Sequence, residues 1–372
     1  MILSRRGLFA SAAALLTSLA TPLSVHASQL RSLRNALDIS WLPDVEAAGG
    51  LFFTDNGKRI DAVALLKLSG VKVGRIRVFV KPASKSGSLE TALVLAKRLK
   101  SHGIEICIDL HYSDTWADPS HQTSPAGWPS EIESLEKQIQ KYTQETLQEF
   151  VKVGTPPQWV QIGNEIAGGF LWPLGKISTG DSSQWENFVR LHNAGTKALR
   201  SVLPRAKSIL HLECGGDYQR VRWWLQNAEK FGLDSYDVVG LSYYSQWHGG
   251  LLGLSKTMHV VTSEFMMPVI IAETAYPWTR QRFGDDVIDI DKAALPGYSF
   301  SPQGQRKYVA SLENLLRKQP HNLGLGMWWW EGFARIVRTP EGTITWNAGM
   351  ANSTLVDISG KALPALAALN AQ

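Results

Sequence analysis

Eight short apolar runs, separated by stretches of helical periodicity, constrain this chain more than any other feature of its sequence. The runs are Leu37–Leu42, Val71–Val80, Glu105–Tyr112, Trp159–Ile166, Ser208–Cys214, Val238–Tyr244, Val269–Thr274 and Gly324–Glu331. Their apolar character suits strands buried on both faces of a parallel sheet. Between them apolar residues recur three or four positions apart. One stretch carries Leu89, Leu93, Ala96 and Leu99, and another Leu135, Ile139, Tyr142, Thr146 and Phe150. A third carries Trp185, Val189, His192, Leu199 and Val202, and a fourth Val309, Leu312 and Leu316. That spacing predicts amphipathic helices. Ser130 to Glu133 and Ser183 to Glu186 read as capping boxes, while Pro204 and Gly232 stand where helices should stop. Strand and helix alternating eight times predict an α/β fold, a (β/α)8 TIM barrel built as a single domain. A doubly wound open sheet is the competitor, but it calls for a Gly-rich phosphate turn after an early strand, and none is present.

Composition narrows the partners. With 372 residues, 44% hydrophobic and 19% charged, the chain is of ordinary soluble globular make-up, long enough for one large domain. The net charge of +5 is mild and shows no basic run, so it gives no argument for nucleic acid or a membrane surface. Fourteen tryptophans, by contrast, suit a site that stacks on flat apolar faces such as those of sugar rings. At the N-terminus, Ser4-Arg5-Arg6-Gly7-Leu8-Phe9 is a twin-arginine pattern. The apolar stretch Ala10 to Leu19 follows, and Val25-His26-Ala27 supplies small residues for cleavage. Residues 1–27 are therefore expected to be a signal peptide, and residues 28–372 the barrel. Such a signal implies export, to the periplasm or the extracellular space, with no membrane span in the mature form. Cys107 and Cys214 fall on the third and fifth strands, two spacings or roughly 9–10 Å apart, beyond the ~7 Å reach of a disulfide. Two buried free thiols are expected.

In a parallel barrel the C-terminal tips of the strands converge on one face, where catalytic residues sit. The fourth run, WVQIGNEI, ends on Asn164-Glu165, and the seventh ends on Glu273. Both glutamates close apolar strands with few competing charges beside them. Cleaving a glycosidic bond needs one carboxylic acid to protonate the leaving oxygen and a second carboxylate near the anomeric carbon. Two like charges also push each other's pKa values apart, leaving one acid and one anion. Arg77, His111 and Asn164 are further tip residues suited to sugar hydroxyls. For Arg77 a buried salt bridge is the plainer role, and for His111 a satisfied place in the core. In Trp328-Trp329-Trp330, alternation prevents Trp329 from sharing a face with its neighbours, so at most two line the interior.

The segments DISWLPDVEAAGGLFF, GVKVGRIRVFV, DLHYSDTWADPSHQT, VQIGNEIAGGFLWPLGK, GLSYYSQWHG and IAETAYPWT resemble, in order, the motifs of the arabinogalactan endo-β-1,4-galactanases of glycoside hydrolase family 53. The likeness runs from about Asp38 to about Pro364. It implies a retaining hydrolase of β-1,4-galactan with Glu165 as acid/base and Glu273 as nucleophile. Asn164 would hold the 2-hydroxyl of the ring at the cleavage point, and Arg77 and Tyr243 would support the nucleophile. His111, Asp114, Trp116, Trp247, His248 and Trp330 would line the substrate groove.

Three departures from the family pattern stand out. Ser245-Gln246 replaces a Pro-aromatic pair, which bears on subsite preference. Glu213-Cys214 stands where Ala-Asn is expected, bringing an extra acid near the cleft. The loop Arg280 to Asp291 carries GDDVIDID without the His and Gly spacing of a family-type calcium loop. Its four acids suit either a hard cation or a solvated loop. The expectation is an enzyme with no metal and no cofactor, acting as a monomer on galactan polymer or oligosaccharide. Hydrolysis of another β-1,4-linked chain such as mannan, or galactan binding without hydrolysis, are the alternatives.

Overall fold

The computed structural model describes residues 32–178, 182–233 and 235–370. The expected signal segment, residues 1–27, lies outside them. Eight parallel strands close into a barrel. They are β1 (Ala36–Asp38), β2 (Val73–Val78), β3 (Glu105–Leu110), β4 (Trp159–Ile162), β5 (Lys207–Leu212), β6 (Val238–Ser242), β7 (Val269–Thr274) and β8 (Gly324–Trp329). The ring closes because β1 pairs with both β2 and β8. Eight principal helices alternate with them: α1 (Ala62–Leu68), α2 (Leu89–Ser101), α3 (Ile132–Lys152), α4 (Ser182–Val202), α5 (Tyr218–Lys230), α6 (Leu251–His259), α7 (Pro302–Arg317) and α8 (Pro364–Ala368). None of the described helices is long and apolar enough to cross a membrane.

Local chemistry sets the helix starts. Asp61, Ser88, Asp217 and Ser301 each accept backbone N–H groups in the first turn of α1, α2, α5 and α7, satisfying donors that a helix leaves open. The two expected capping boxes are not made in that form. The N-cap of α3 is Glu131, without a side-chain cap bond, and α4 starts at Ser182, which puts Ser183 inside its first turn.

Several expected strands overrun the ladder at their C-terminal ends. The first stops at Asp38, because Pro43 suits the opening turn of a short helix over Leu42–Ala47. The fourth stops at Ile162, because Gly163 (φ 82°) and Glu165 (φ 50°) turn into left-handed backbone. Tyr112 and Glu331, just past β3 and β8, do the same.

The lower barrel is plugged by apolar side chains, among them Val73, Cys107, Trp159, Ile209, Ile270 and Trp328. Trp328 is buried in that plug, whereas Trp329 faces outward against Tyr308 of α7 and donates its indole N–H to the Ser353 carbonyl (3.0 Å). Alternation along β8 is thus kept. Both cysteines are buried and free.

One irregularity decides where the tip of β7 points. In the β6–β7 ladder Leu241 pairs with Ile271 and Ser242 with Glu273, which skips Ala272. Such a bulge lets two successive side chains share one face. Ala272 joins the inner plug, Glu273 also points inward, and Thr274 returns outward to the Tyr308 hydroxyl (2.9 Å).

Candidate active site

Above the apolar plug lies a layer of buried charge organised by Arg75 of β2. Its guanidinium spans the lumen and meets three carboxylates: Asp38 at 2.9 Å, Asp109 at 2.8 Å and Glu273 at 2.9 Å. It also donates to the side-chain oxygens of Asn164 (3.0 Å) and Gln161 (3.2 Å). Burial alone would raise Asp109, but Arg75 and His111 overcome it and hold that carboxyl below its usual range. A planar donor fork with a permanent charge suits so many acceptors.

Glu273, from the bulge of β7, takes Arg75 on Oε1, and its Oε2 accepts the Tyr244 hydroxyl at 3.0 Å. Burial holds the carboxyl above its usual range; Arg75 opposes this, Asp109 and Asp38 add to the rise, and Tyr244 pulls back toward the ionised form. Tyr244 stays a neutral donor, because burial and then the charges of Glu273 and Glu165 lift its phenol well above the usual value.

Glu165 has a different environment. Among the described residues no cation pairs with its carboxyl; Ser242 donates to Oε1 at 2.6 Å. Burial, and then the charge of Glu273, drive it well above the normal range, with Ser242 and the more distant Arg75 opposing. Two carboxyls face one cleft, one beside a guanidinium that favours its anion and one pushed further toward its protonated form. The backbone of Glu165 sits at φ 50°, ψ 55°, sparsely populated for a residue with a side chain and costing about 1 kcal/mol or more. Gln122 restrains that corner by donating to the carbonyls of Asn164 (2.8 Å) and Glu165 (3.3 Å).

A cleft of about 670 Å³ opens over the pair, walled by Trp41, Trp116, Tyr244, Trp247 and Trp330. The rings brace one another: Trp41 lies 5.4 Å from Trp116 and 5.9 Å from Trp330 between centroids, and Tyr244 lies 5.2 Å from Trp247. Trp247 is 59% exposed, an aromatic face open at the rim for stacking. A larger hollow of about 920 Å³ lies between α1, α7 and α8, lined by Leu65, Leu68, Arg306 and Lys361 among others. It contains no strand-tip residue, so the chemistry points to the smaller cleft.

Of the residues singled out from the sequence, Glu165, Glu273, Asn164, Trp116, Trp247, His248 and Trp330 line this cleft. Arg77, His111, Asp114 and Tyr243 do not. Arg77, two residues above Arg75 on the same face, is sandwiched between Trp41 and Trp116 (4.6 and 4.2 Å to ring centroids) and paired with Glu331 at 2.5 Å. Support for Glu273 comes from Arg75 instead. Tyr243 gives its hydroxyl to the Gly249 carbonyl (2.6 Å), and its neighbour Tyr244 reaches the carboxylate. His111 lies beneath the cleft, accepting the Ala117 N–H on Nδ1 and meeting Asp109 through Nε2. Asp114 accepts the Ala126 N–H (2.8 Å) and ties down the loop after β3. His248 keeps its ring in the wall, and burial lowers it to about 4.

Residues not foreseen for the site are Arg75, Tyr244, Trp41, Ser242 and His211. Tyr244 was within reach of the alternation rule, because it shares parity with Ser242 and Gly240.

The departures have plain structural roles. Glu213 lines the cleft, but its carboxylate is engaged by Arg220 (2.8 Å) and by the Ala167 N–H (3.0 Å). Burial raises it and Arg220 opposes. Ser245 donates to the Ala293 carbonyl (2.6 Å), while Gln246 donates to the Val287 carbonyl (3.0 Å) and accepts the Asp289 N–H (2.7 Å). Together they staple the acidic loop to the tip of β6. Within that loop Arg282 pairs with Asp291 (2.6 Å) and Asp289 (3.4 Å). Among the described residues, no group of three or more His, Cys, Asp or Glu is gathered to hold a metal.

Comparison with known proteins identifies the family. The model of glycosyl hydrolase family 53 matches residues 35–369. The arabinogalactan endo-beta-1,4-galactanase of Thermothelomyces thermophilus is 33% identical over 334 residues, spanning 86% of this chain and 94% of that protein. A solved structure from a study of two fungal beta-1,4-galactanases superposes with a TM-score of 0.78 at 30% identity, covering 91% of this chain and 99% of that one. The family 53 catalytic domain of Ignisphaera aggregans gives a TM-score of 0.82 at 28% identity, covering 91% and 95%.

Proposed function

The chain belongs to glycosyl hydrolase family 53, and we propose that it is a retaining endo-β-1,4-galactanase, exported and acting as a monomer on the galactan side chains of pectin. The observation that carries this reading is the asymmetry of the two carboxyls. Glu273 is held by a guanidinium and a phenol, whereas the Glu165 carboxyl, among the described residues, is held by a hydroxyl. The relatives named as galactanases supply the substrate. The twin-arginine pattern of the N-terminus supports export.

In the first step the Glu273 carboxylate attacks the anomeric carbon as the glycosidic C–O bond breaks, and the Glu165 proton passes to the leaving oxygen. The products are a galactosyl ester on Glu273 and a Glu165 carboxylate. In the second step that carboxylate takes a proton from water, the hydroxide oxygen bonds to the anomeric carbon, and Glu273 leaves with its electron pair. The sugar is released with its starting configuration. Asn164, fixed by Arg75, Gln161 and the Ala117 carbonyl, stands beside Glu165 where a ring hydroxyl can be held. The flat aromatic walls accept sugar faces, and the chemistry needs neither metal nor organic cofactor.

Glu165→Ala and Glu273→Ala should each remove nearly all activity on galactan while the fold is kept. With azide, the Glu273→Ala protein should yield a glycosyl azide of inverted configuration, and the Glu165→Ala protein one of retained configuration. Full activity in either variant would refute the assignment. Reducing ends from mannan but not from galactan would refute the substrate.

A further inference from the structure

Beneath Glu165 runs a line of hydrogen bonds that the two-carboxylate scheme does not use. The Nε2 of His211, on β5, lies 2.8 Å from the Oγ of Ser242, and that hydroxyl donates to Oε1 of Glu165 at 2.6 Å. The other face of the imidazole bears on the direction. Nδ1 of His211 faces the backbone N–H of Glu165 (3.3 Å), the Gln161 amide nitrogen (2.9 Å) and the Asn164 side-chain oxygen (3.0 Å), and that oxygen already accepts from Arg75 and Gln161 (3.0 Å each). Two donors thus face Nδ1 against one oxygen that is already occupied, and this geometry points to the tautomer with its ring hydrogen on Nε2. Burial and Arg75 keep the ring neutral. His211 Nε2–H therefore donates to Ser242, whose only hydrogen is then free for Glu165. His211 and Ser242 have no solvent exposure, and Glu165 is half-buried at the cleft.

We propose that Ser242, aimed by His211, is a positioning residue for the acid/base: it occupies Oε1 of Glu165 as an acceptor and thereby assigns the catalytic proton to Oε2. A carboxyl proton on Oε1 would face the Ser242 hydrogen, so the protonated acid is selected with its hydrogen on the other oxygen. When Glu165 gives that proton up, the new carboxylate already has a donor in place, and no reorganisation is needed at the moment of bond cleavage. The same imidazole holds the Glu165 backbone, so one residue orients both the main chain and the carboxyl of the acid. This inference rests on the reading of Glu165 as acid/base. Around that carboxyl the charged and titratable groups are Arg75 from β2, Glu213 and His211 from β5 and its tip, Tyr244 from the tip of β6 and Glu273 from β7.

The test compares Ser242→Ala and Ser242→Cys with the parent enzyme. A cysteine keeps nearly the volume of serine but is a weak donor. On galactan, kcat/KM should fall about tenfold in Ser242→Ala, the usual worth of a hydrogen bond to a charged group, with Ser242→Cys closer to alanine than to serine. On 2,4-dinitrophenyl β-1,4-galactobioside, whose leaving group needs no proton, kcat/KM should stay within about twofold by the same reasoning. The basic limb of the pH profile on galactan should move to higher pH, because the donor that favoured the carboxylate is gone. Equal losses on both substrates, an unmoved basic limb, or a cysteine variant equal to the parent would overturn the proposal. Glu165→Ala distinguishes the two levels. If it too loses equally on both substrates, the acid/base reading itself fails; if it spares only the activated substrate while Ser242→Ala does not, the positioning role alone fails.

Discussion

At the scale of single residues, the site depends on neighbours that differ by one or two positions in sequence. Tyr243 and Tyr244 are adjacent, yet it is Tyr244 that reaches Glu273, because alternation turns the two to opposite faces. Tyr244→Phe removes a donor that favours ionised Glu273. The pKa of Glu273 should then rise, and activity, which needs the carboxylate, should begin to fail at a higher pH as conditions become acidic. The acid limb of the kcat/KM profile should shift upward, with a loss of about tenfold at its optimum. Tyr243→Phe should leave both limbs in place. Identical profiles for the two variants would contradict the geometry. Arg75 and Arg77 differ in depth rather than in face. Both point inward from β2, and alternation cannot say which one spans the lumen to β7. That depends on how the barrel is tilted and on what fills the space above, where Trp41, Trp116 and Glu331 already enclose Arg77.

Among the elements, the strands were legible because their apolar runs are short, dense and separated by helical periodicity. β7 falls on Val269–Thr274 as expected, and the fourth run begins on Trp159 as expected. What sequence pattern does not carry is the backbone at the tips. Asn164, Glu165 and Ile166 continue the look of a strand, yet the ladder has ended and Glu165 is left-handed. The bulge that turns Glu273 inward is likewise invisible to a rule of period two, which would have pointed Thr274 at the cleft. Both glutamates of the cleft are delivered at places where regular geometry breaks. Loop anchoring obeys the same logic, since Gln246, where the resemblance leads one to expect an aromatic residue, binds the loop after β7 at Val287 and Asp289. Gln246→Ala should speed hydrogen exchange of the Asp289 amide about fivefold, the effect of losing roughly 1 kcal/mol of local protection, with the thermal midpoint nearly unchanged. An unaltered exchange rate would show that the staple is not what holds the loop.

Across the whole molecule, the barrel is layered: an apolar plug below, a charged layer centred on Arg75, and an aromatic cleft above. The plug excludes water from beneath the charges. Their mutual attraction is therefore strong, and each carboxylate depends on its partner. That layering explains why two glutamates in one cleft behave differently. Glu273 belongs to the Arg75 network, and Glu165 stands outside it, desolvated and facing a like charge. The double-displacement mechanism stands or falls on Glu273 forming the covalent bond. Its most direct test is to trap the enzyme with 2,4-dinitrophenyl 2-deoxy-2-fluoro-β-1,4-galactobioside and map the labelled peptide by mass spectrometry. A single adduct on the peptide carrying Glu273, absent in Glu273→Ala, is the predicted result. Label on Glu165, Glu213 or Glu331, or label that survives in Glu273→Ala, would contradict it.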